Sequence, residues 1–322
     1  MTLLGVGHAL VDAYAFTADE VPLRLGLHTG SFNTVPDYRM RAILLTLGQK
    51  HLTAGGSSAN VAKLASGLGL STFFVSQCGN DDEGSLFESE LQAAGVTTLL
   101  RRTDSPTGIC VTFLSPRGNR TIATYRSASE GLPAALVSDA LLEAADIVSL
   151  EGYLLEETGV MESLLERCRA KQKAVAFDTS DPVLTTRHRK RLERFLRAGD
   201  IQYLFAQEEE ARCLSGSTSD EALVSFSPLV RSFVVKRGEL GCRLYDGGNF
   251  IDVPASTEEP FDTTGAGDAL QAGFFWGLDR GLTLRSACEC GCLVAETVLR
   301  QPGTKVDQAT MATLLKDLET RY

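Results

Sequence analysis

The sequence lacks the common motifs by which proteins hold nucleotides or catalytic metals. It contains no Gly-Lys dipeptide, and therefore no P-loop of the Walker type. It has no Gly-x-Ser-x-Gly and no His-Glu-x-x-His motif, and its four histidines are not in metal-ligand spacing. Gly5-Val6-Gly7 begins like a dinucleotide fingerprint, but the third glycine is missing. If this chain binds a nucleotide, it does so through a different sequence motif.

Positive charge and long apolar runs are also scarce. The net charge is −10, which disfavours a surface for nucleic acid or anionic membrane. No apolar run approaches the ~18 residues that a membrane-spanning helix needs, and the first residues lack the basic start of a signal peptide. The eight cysteines include no Cys-x-x-Cys pair. We therefore expect a cytoplasmic protein with reduced cysteines and with neither nucleic acid nor membrane as partner.

Strand-like and helix-like segments alternate along most of the 322 residues. Leu3 to Asp12 is predicted as a first extended segment, and Glu83 to Ala94 as a helix that ends at Gly95. Further apolar strands are predicted at 71–76, 146–150, 173–178, 203–205 and 232–236. This alternation predicts an α/β fold with a mainly parallel sheet between helical layers.

Two stretches interrupt the alternation. Residues 13–36 are irregular, and residues 105–127 read as a hairpin of Gly108 to Phe113 and Thr121 to Tyr125 around a turn at Pro116 to Asn119. We expect one domain over 1–322, with a small β-sheet lid contributed by about 13–54 and 105–127. The alternative, an edge hairpin without a role in binding, remains open from the residues alone.

The motif Asp262-Thr263-Thr264-Gly265-Ala266-Gly267-Asp268 precedes a strongly apolar run. A helix that starts here presents free backbone N–H groups to an anion, and the glycines let the anion approach the backbone. A carboxylate beside an anion site is suited to take a proton from a hydroxyl that attacks a phosphoryl group. The alternative is a glycine-containing loop in which Asp268 only caps the helix.

Together with Gly55-Gly56-Ser57-Ser58-Ala59-Asn60, this motif resembles the ribokinase-like carbohydrate kinases, and the likeness runs from about Gly5 to Gly303. The resemblance implies a three-layer αβα domain with a β lid and phosphoryl transfer from ATP. It implies Asp268 as the general base and the amides of Gly265, Ala266 and Gly267 as an anion hole. The implied acceptor-site residues are Asp12, at the end of the first strand, and Gly55, Gly56 and Asn60.

The resemblance also implies a nucleotide side of the site. ATP would be bound by Lys236, Gly238, Gly241, Thr263 and Thr264. Mg²⁺ would be positioned by Glu210, and a monovalent cation such as K⁺ would lie beside Asp262. Gln207 departs from the family's Asn at the head of the Glu210 motif, and three glutamates at a helix start also suit the helix dipole without a metal.

The long segment between Asp12 and Gly55 and the sequence Leu150 to Leu154 resemble the adenosine kinases within this family. Tyr125, Tyr153 and Leu154 are predicted to sandwich a purine. We therefore expect a nucleoside as acceptor, with adenosine first. A sugar kinase of the ribokinase or fructokinase type and a non-catalytic nucleoside-binding protein remain as alternatives. The predicted assembly is a monomer or homodimer.

Overall fold

The structure is a computed structural model, and it describes residues 1–47, 51–116, 120–217, 223–224, 226–255, 260–301 and 303–322. Within these residues, no helix has the length and apolar character required to cross a membrane. The predicted turn at Pro116 to Asn119 lies largely outside them, because residues 117–119 are not described.

Fourteen strands are described in this part of the chain. They are β1 Thr2–Val6, β2 Leu10–Phe16, β3 Phe32–Thr34, β4 His51–Gly55, β5 Ser71–Gly79, β6 Thr97–Thr103, β7 Gly108–Leu114, β8 Arg120–Tyr125, β9 Ile147–Glu151, β10 Ala174–Asp178, β11 Tyr203–Gln207, β12 Ser232–Lys236, β13 Cys242–Asp246 and β14 Asn249–Val253.

The described helices are α1 Glu20–Arg24, α2 Asp37–Leu47, α3 Ser57–Gly67, α4 Asp82–Ala93, α5 Asp139–Ala144, α6 Val160–Ala170, α7 Pro182–Arg197, α8 Glu208–Ser215, α9 Ala266–Asp279, α10 Leu284–Leu299 and α11 Gln308–Arg321. Several begin at the capping residues that the sequence offers. Asp81, Asp181 and Thr283 each accept a hydrogen bond from a backbone N–H in the first turn of their helix.

Nine strands form one large sheet in the order β14-β13-β12-β11-β10-β9-β1-β5-β6. The pairs from β6 to β12 are parallel, whereas β13 and β14 are added antiparallel at one edge. The parallel strands are apolar because both of their faces are covered; all five residues of β9 are buried. The predicted α/β class with a mainly parallel sheet is confirmed.

A helical layer covers each face of this sheet. On one face, Leu164, Leu192 and Phe233 belong to a buried cluster that joins the sheet to α6 and α7. On the other, Phe274, Phe275 and Trp276 of α9 pack with residues of α3, α10 and α11. Helix α9 is buried along most of its length, as its apolar sequence predicts.

Five strands form a second, smaller sheet in the order β3-β8-β7-β2-β4. The predicted hairpin is confirmed, since β7 and β8 are antiparallel neighbours. The prediction of one extended segment from Leu3 to Asp12 is wrong. The chain leaves the large sheet after Val6 and enters the small sheet at Leu10, so Asp12 is the third residue of β2 and not the end of the first strand.

The return from the small sheet to the large one depends on Gly56, which lies between β4 and α3. Its φ of +95° belongs to a region that side chains disfavour, and a Cβ at this position would overlap the carbonyl oxygen of His8. Glycine is therefore required by both backbone conformation and space.

This requirement predicts a measurable difference between two glycines. Gly56→Ala is expected to lower the free energy of unfolding by about 2–4 kcal/mol, because it adds strain and a clash. Gly69 is the matched control: its φ is +89°, but a Cβ there would have open space, so Gly69→Ala should cost only about 1 kcal/mol. Urea unfolding of the two variants checks this, and equal losses would show that the close approach to His8 has no energetic weight.

Candidate functional site

The site lies where the small sheet faces the carboxyl ends of the parallel strands, the edge at which open α/β sheets bind ligands. Three parts of the chain converge there. They are the start of α9, the first turn of α3 and the inner face of the small sheet.

Asp268 stands in the first turn of α9, which follows Gly265 in a left-handed conformation with φ +76°. Its carboxylate accepts hydrogen bonds from Ser57 Oγ at 2.7 Å and from Asn60 Nδ2 at 3.0 Å. Burial raises the pKa of Asp268 to about 7, against the effect of these two hydrogen bonds, which lower it. A carboxylate with this pKa is poised to accept a proton near neutral pH.

The backbone in front of Asp268 has the form of an anion site. The first amides of a helix have no carbonyl partners four residues earlier; here the N–H of Ala266 makes a long hydrogen bond of 3.4 Å to the carbonyl of Thr263. A Cβ on Gly267 would lie 3.1 Å from Lys236 Nζ, so the Lys236 ammonium lies beside this turn. Lys236 is in turn paired with Asp178 at 2.5 Å.

Asp262 holds the preceding loop in shape. Its carboxylate accepts hydrogen bonds from the N–H of Thr264 at 2.9 Å, from Thr264 Oγ1 at 2.7 Å and from the N–H of Gly303 at 2.9 Å. Most of the hydrogen-bonding capacity of this carboxylate is therefore used within the protein. Its predicted contact with a monovalent cation stays a prediction.

Asp12 lies on the inner face of the small sheet. Its side chain covers Gly55, where a Cβ would overlap the Asp12 carboxylate. Burial raises the pKa of Asp12 to about 6, while the nearby charge of Lys63 and a hydrogen bond from Cys110 lower it. The packing of Asp12 on Gly55 gives one physical reason for the first glycine of the Gly55-Gly56 pair.

Lys63 lies between the two aspartates. It is three residues after Asn60 on α3, and its charge interacts favourably with both Asp12 and Asp268. Its ammonium donates to the carbonyl of Ala54 and lies 3.5 Å from Thr304 Oγ1. Lys63 is therefore a common neighbour of the two carboxylates, although burial lowers its pKa.

Asn60 makes contacts that differ from its predicted role. Its Nδ2 donates to Asp268, and its Oδ1 accepts a hydrogen bond from Thr304 Oγ1 at 2.8 Å. Both ends of the amide are thus engaged with the protein, so Asn60 orients Asp268 in this structure. Direct contact of Asn60 with an acceptor hydroxyl stays a prediction.

Arg120 connects the small sheet to the anion-site loop. It is the first residue of β8, and its Nη1 lies 3.2 Å from Thr264 Oγ1. Its charge also acts on Asp12. Arg120 thus brings a positive charge across the site from the small sheet.

An aromatic pair lines the far end of the site. The Tyr153 ring lies 6.1 Å from the ring of Phe32, at an interplanar angle of 25°, and the Arg126 guanidinium lies 4.8 Å from the Tyr153 centroid. Phe32 belongs to β3 of the small sheet and keeps 37% of its surface exposed. Its partner Tyr153 comes directly after β9.

The other two residues of the predicted purine sandwich do not face this pair. Leu154 is fully buried in the core between the large sheet and α6, so its prediction as a ligand contact is wrong. Tyr125 packs on the apolar core on the outer face of the small sheet, near Arg41. Because side chains alternate along a strand, Thr124 shares the inner face with Cys110 and Asp12, and Tyr125 does not.

Glu210 is a buried residue in the first turn of α8. Its Oε2 accepts hydrogen bonds from Thr179 Oγ1 at 2.6 Å and from the N–H of Gln207 at 2.7 Å. Burial raises the pKa of Glu210, and the charge of Lys236 acts against this. Within the described residues, no group of three or more acidic, His or Cys side chains forms a metal cage. The predicted role of Glu210 in positioning Mg²⁺ stays a prediction.

The turn after β12 contains the two other glycines predicted for ATP. Gly238–Leu240 forms a short 3₁₀ helix, and Gly241 follows with a φ of +81°. Here the N–H of Arg237 donates to the carbonyl of Gly241 at 2.8 Å. This closed turn lies directly after Lys236, so it shares the edge of the sheet with the anion site.

Several residues of the site were missed from the sequence. They are Phe32, Ser57, Lys63, Arg120, Asp178 and Thr304. Ser57 and Lys63 carried a usable signal, because they lie at helical spacing from Asn60 on α3. Arg120 and Thr304 reach the site through contacts over more than 140 residues, which no local pattern displays.

The burial and hydrogen bonds of Asp268 predict the pKa of its carboxyl group. In a carboxyl ¹³C NMR titration, with the Asp268→Asn spectrum used for assignment, the Asp268 resonance should show a pKa of about 7. Ser57→Ala should raise it by about half a unit to one unit, because one stabilising hydrogen bond to the carboxylate is lost. Ser66→Ala, at the opposite end of α3, is the control. A pKa near 4 in the unaltered protein would contradict the buried site.

The chain is similar to known kinases in sequence and in structure. A sequence profile described as pfkB family carbohydrate kinase matches residues 34–311. The adenosine kinase from Sinorhizobium meliloti superposes with a TM-score of 0.89 at 28% identity, over 97% of this chain and 98% of that one. A probable sugar kinase from Rhizobium etli superposes with a TM-score of 0.91 at 26% identity, over 98% of both chains.

A nucleoside kinase from Methanothermobacter thermautotrophicus is 28% identical over 95% of this chain and 91% of its own length. The matched profile covers most of the sequence, including both glycine motifs and Asp268. This chain therefore belongs to the pfkB family of carbohydrate kinases and is a phosphotransferase.

Proposed function

We propose that this protein is an ATP-dependent kinase that phosphorylates the 5′-hydroxyl of a ribonucleoside, most specifically adenosine. The observation that carries the choice of acceptor is the pair of Phe32 and Tyr153 at the far end of the site. A nucleobase gains about 1–3 kcal/mol from stacking on such rings, whereas a free sugar has nothing to place there. The similarity to an adenosine kinase and to a nucleoside kinase supports the same choice.

The acceptor is bound along the inner face of the small sheet. Asp12 accepts hydrogen bonds from the ribose hydroxyls, because a carboxylate matches a vicinal diol. The absence of a side chain at Gly55 leaves room for the Asp12 carboxylate, and the absence of one at Gly56 lets the chain turn against His8 from the small sheet into α3. The 5′-hydroxyl then points toward Asp268, which shares the Lys63 charge with Asp12.

Asp268 acts as the general base. Its hydrogen bonds from Ser57 and Asn60 fix the carboxylate, which takes the proton of the 5′-hydroxyl as that oxygen attacks the γ-phosphorus. Bond formation to the 5′-oxygen accompanies cleavage of the bond to the β-phosphate oxygen, and ADP leaves.

The charge of the transferring group is met by fixed donors. The amides of Gly265, Ala266 and Gly267 surround the anion, and Lys236 and Arg120 add positive charge from opposite sides. Glu210 would lie beside the waters of a magnesium ion, and that ion would supply further neutralisation of the phosphate charge. Thr263, Thr264 and the Gly238–Gly241 turn border the nucleotide.

The small sheet acts as a lid. The contact from Arg120 to Thr264 joins its edge to the anion-site loop, so approach of the lid brings Asp12, Arg120 and Phe32 to the site together. Closure excludes water, which would otherwise hydrolyse ATP.

A sugar kinase is the second candidate, favoured by the similarity to the Rhizobium etli protein. A panel of acceptors with labelled ATP separates the two. Adenosine should be phosphorylated at least tenfold more efficiently than ribose or fructose. Faster phosphorylation of a free sugar would contradict the proposal that the acceptor is a nucleoside.

The aromatic pair predicts the effect of one substitution. Phe32→Ala should raise KM for adenosine by about 5- to 150-fold, because about 1–3 kcal/mol of stacking is lost, with little change in kcat. Tyr38→Ala is the matched control, since Tyr38 is 71% exposed on α2, which packs on the outer face of the small sheet. Equal KM values for adenosine in the two variants would show that Phe32 does not contact the nucleobase.

The proposed role of Asp268 as general base predicts how its substitution changes kcat. Asp268→Asn should keep adenosine binding in calorimetry and lower kcat by ~10²–10⁴-fold, the range for loss of a general base. Asp279→Asn, at the opposite end of α9, serves as control. An unchanged kcat in Asp268→Asn would show that Asp268 is not the general base.

A further inference from the structure

A buried ion network lies behind the acceptor site and takes no part in the mechanism above. His8 Nδ1 lies 2.8 Å from Glu151 Oε1, and His8 Nε2 lies 3.1 Å from Glu157 Oε1. The exposed fractions of the three residues are 1%, 1% and 7%. Three titratable groups are thus withdrawn from water, although burial of charge carries a free-energy cost.

The network is charged. Burial alone would lower the pKa of His8, but the hydrogen bonds and charges of Glu151 and Glu157 raise it to about 9. Burial acts to raise the pKa of each glutamate, and the bonds to His8 bring both below their usual range. An imidazolium therefore bridges two carboxylates near neutral pH.

The two glutamates of this network also accept hydrogen bonds from backbone N–H groups in three connections between the two sheets. Glu151 Oε1 accepts from the N–H of His8 at 2.8 Å, between β1 and β2. Glu151 Oε2 accepts from the N–H of Ser58 at 3.0 Å, where the chain returns from β4 into α3. Glu157 Oε2 accepts from the N–H of Gly131 at 2.7 Å, on the way out of β8.

The close fit at Gly7 shows how tightly these parts are packed. A Cβ on Gly7 would lie 2.5 Å from Glu151 Oε2 and 2.8 Å from Ser58 Cβ. The carboxylate oxygen that receives the Ser58 N–H therefore lies directly against the backbone of the first connection. Any added atom there must push Glu151 or α3 aside.

Ser58 lies beside the residue that holds the general base. Ser57 and Asn60, in the same first turn of α3, donate the two hydrogen bonds to Asp268. We propose that His8, Glu151 and Glu157 are positioning residues, which fix the first turn of α3 and thereby the orientation of Asp268. This inference rests on the proposed role of Asp268 as the base.

A network that only stabilised the fold would behave differently. Its loss would lower the free energy of unfolding and leave Asp268 unchanged. A positioning network must also change the titration of Asp268, because displacement of Ser57 and Asn60 removes bonds that lower its pKa.

Glu151→Gln is the first test. The amide is isosteric, but its NH₂ group cannot accept a hydrogen bond, so the Ser58 or the His8 contact is lost. We expect the pKa of Asp268, from carboxyl ¹³C NMR, to rise by about half a unit to one unit. We expect kcat at pH 7 to fall about tenfold, with KM for ATP unchanged.

Gly7→Ala tests the same link without removing a charge, and it serves where Glu151→Gln does not fold. It should raise the pKa of Asp268 in the same direction. Glu157→Gln removes a carboxylate but spares the Ser58 contact, so its effect on Asp268 should be smaller. Loss of a negative charge by itself would lower the pKa of Asp268, so a fall of this pKa in both glutamate variants would show that charge, and not the position of α3, is responsible.

Asp200→Asn is the matched control for stability. Asp200 is a 6% exposed carboxylate paired with Arg169, before β11 and away from the site. Its loss should lower the free energy of unfolding without moving the pKa of Asp268.

Two results decide the inference. In the double variant Ser57→Ala, Glu151→Gln, the rise in pKa should be less than the sum of the single effects, because both act through one contact. An Asp268 pKa that is unmoved in folded Glu151→Gln and Gly7→Ala would overturn the inference. The titration needs no turnover, so this outcome is distinct from failure of the unaltered protein to phosphorylate any acceptor.

Discussion

The contact between the first turns of α3 and α9 is the interaction on which the site depends. Ser57 and Asn60 donate from α3 to Asp268 on α9, across more than 200 residues of sequence. Helix α3 follows β4 of the small sheet and packs with α9 in one helical layer on the large sheet. The two hydrogen bonds therefore join neighbouring helices of this layer at the point where the chain returns from the small sheet, and they hold the Asp268 carboxylate there.

The site reconciles an excess of negative charge with the binding of an anion. Asp12, Asp262 and Asp268 all lie near the phosphate path, in a chain of net charge −10. Each is compensated locally: Asp262 by loop amides and a hydroxyl, Asp12 by Lys63, and Asp268 by hydrogen bonds and the charge of Lys236. Arg120 reaches the loop of Thr264 from the small sheet. Under the proposed mechanism, movement of this sheet away from the loop would withdraw positive charge from the phosphate, which would couple transfer to closure.

The sequence predicted those features that depend on local backbone chemistry. Two glycine motifs located the starts of α3 and α9, and apolar runs located the parallel strands. It failed where a role depends on which face a side chain occupies. Tyr125 and Leu154 are beside the correct region, but strand alternation turns one outward and a 3₁₀ turn buries the other. A break in β pairing at Gly7 to Ala9 was likewise invisible, because Leu3 to Asp12 reads as one apolar segment.

Long-range partners explain the remaining omissions. Glu151 lies 143 residues from His8 in sequence, and nothing near either residue indicates the other. Asn60 also has a distant partner, since its Oδ1 accepts a hydrogen bond from Thr304 while its Nδ2 donates to Asp268. Polar residues at the carboxyl ends of buried strands, such as Glu151 and Asp178, therefore acquire their roles only when the sheet assembles. In a parallel α/β fold the carboxyl ends of separate strands meet at one edge, so the chemistry of that edge is a property of the topology.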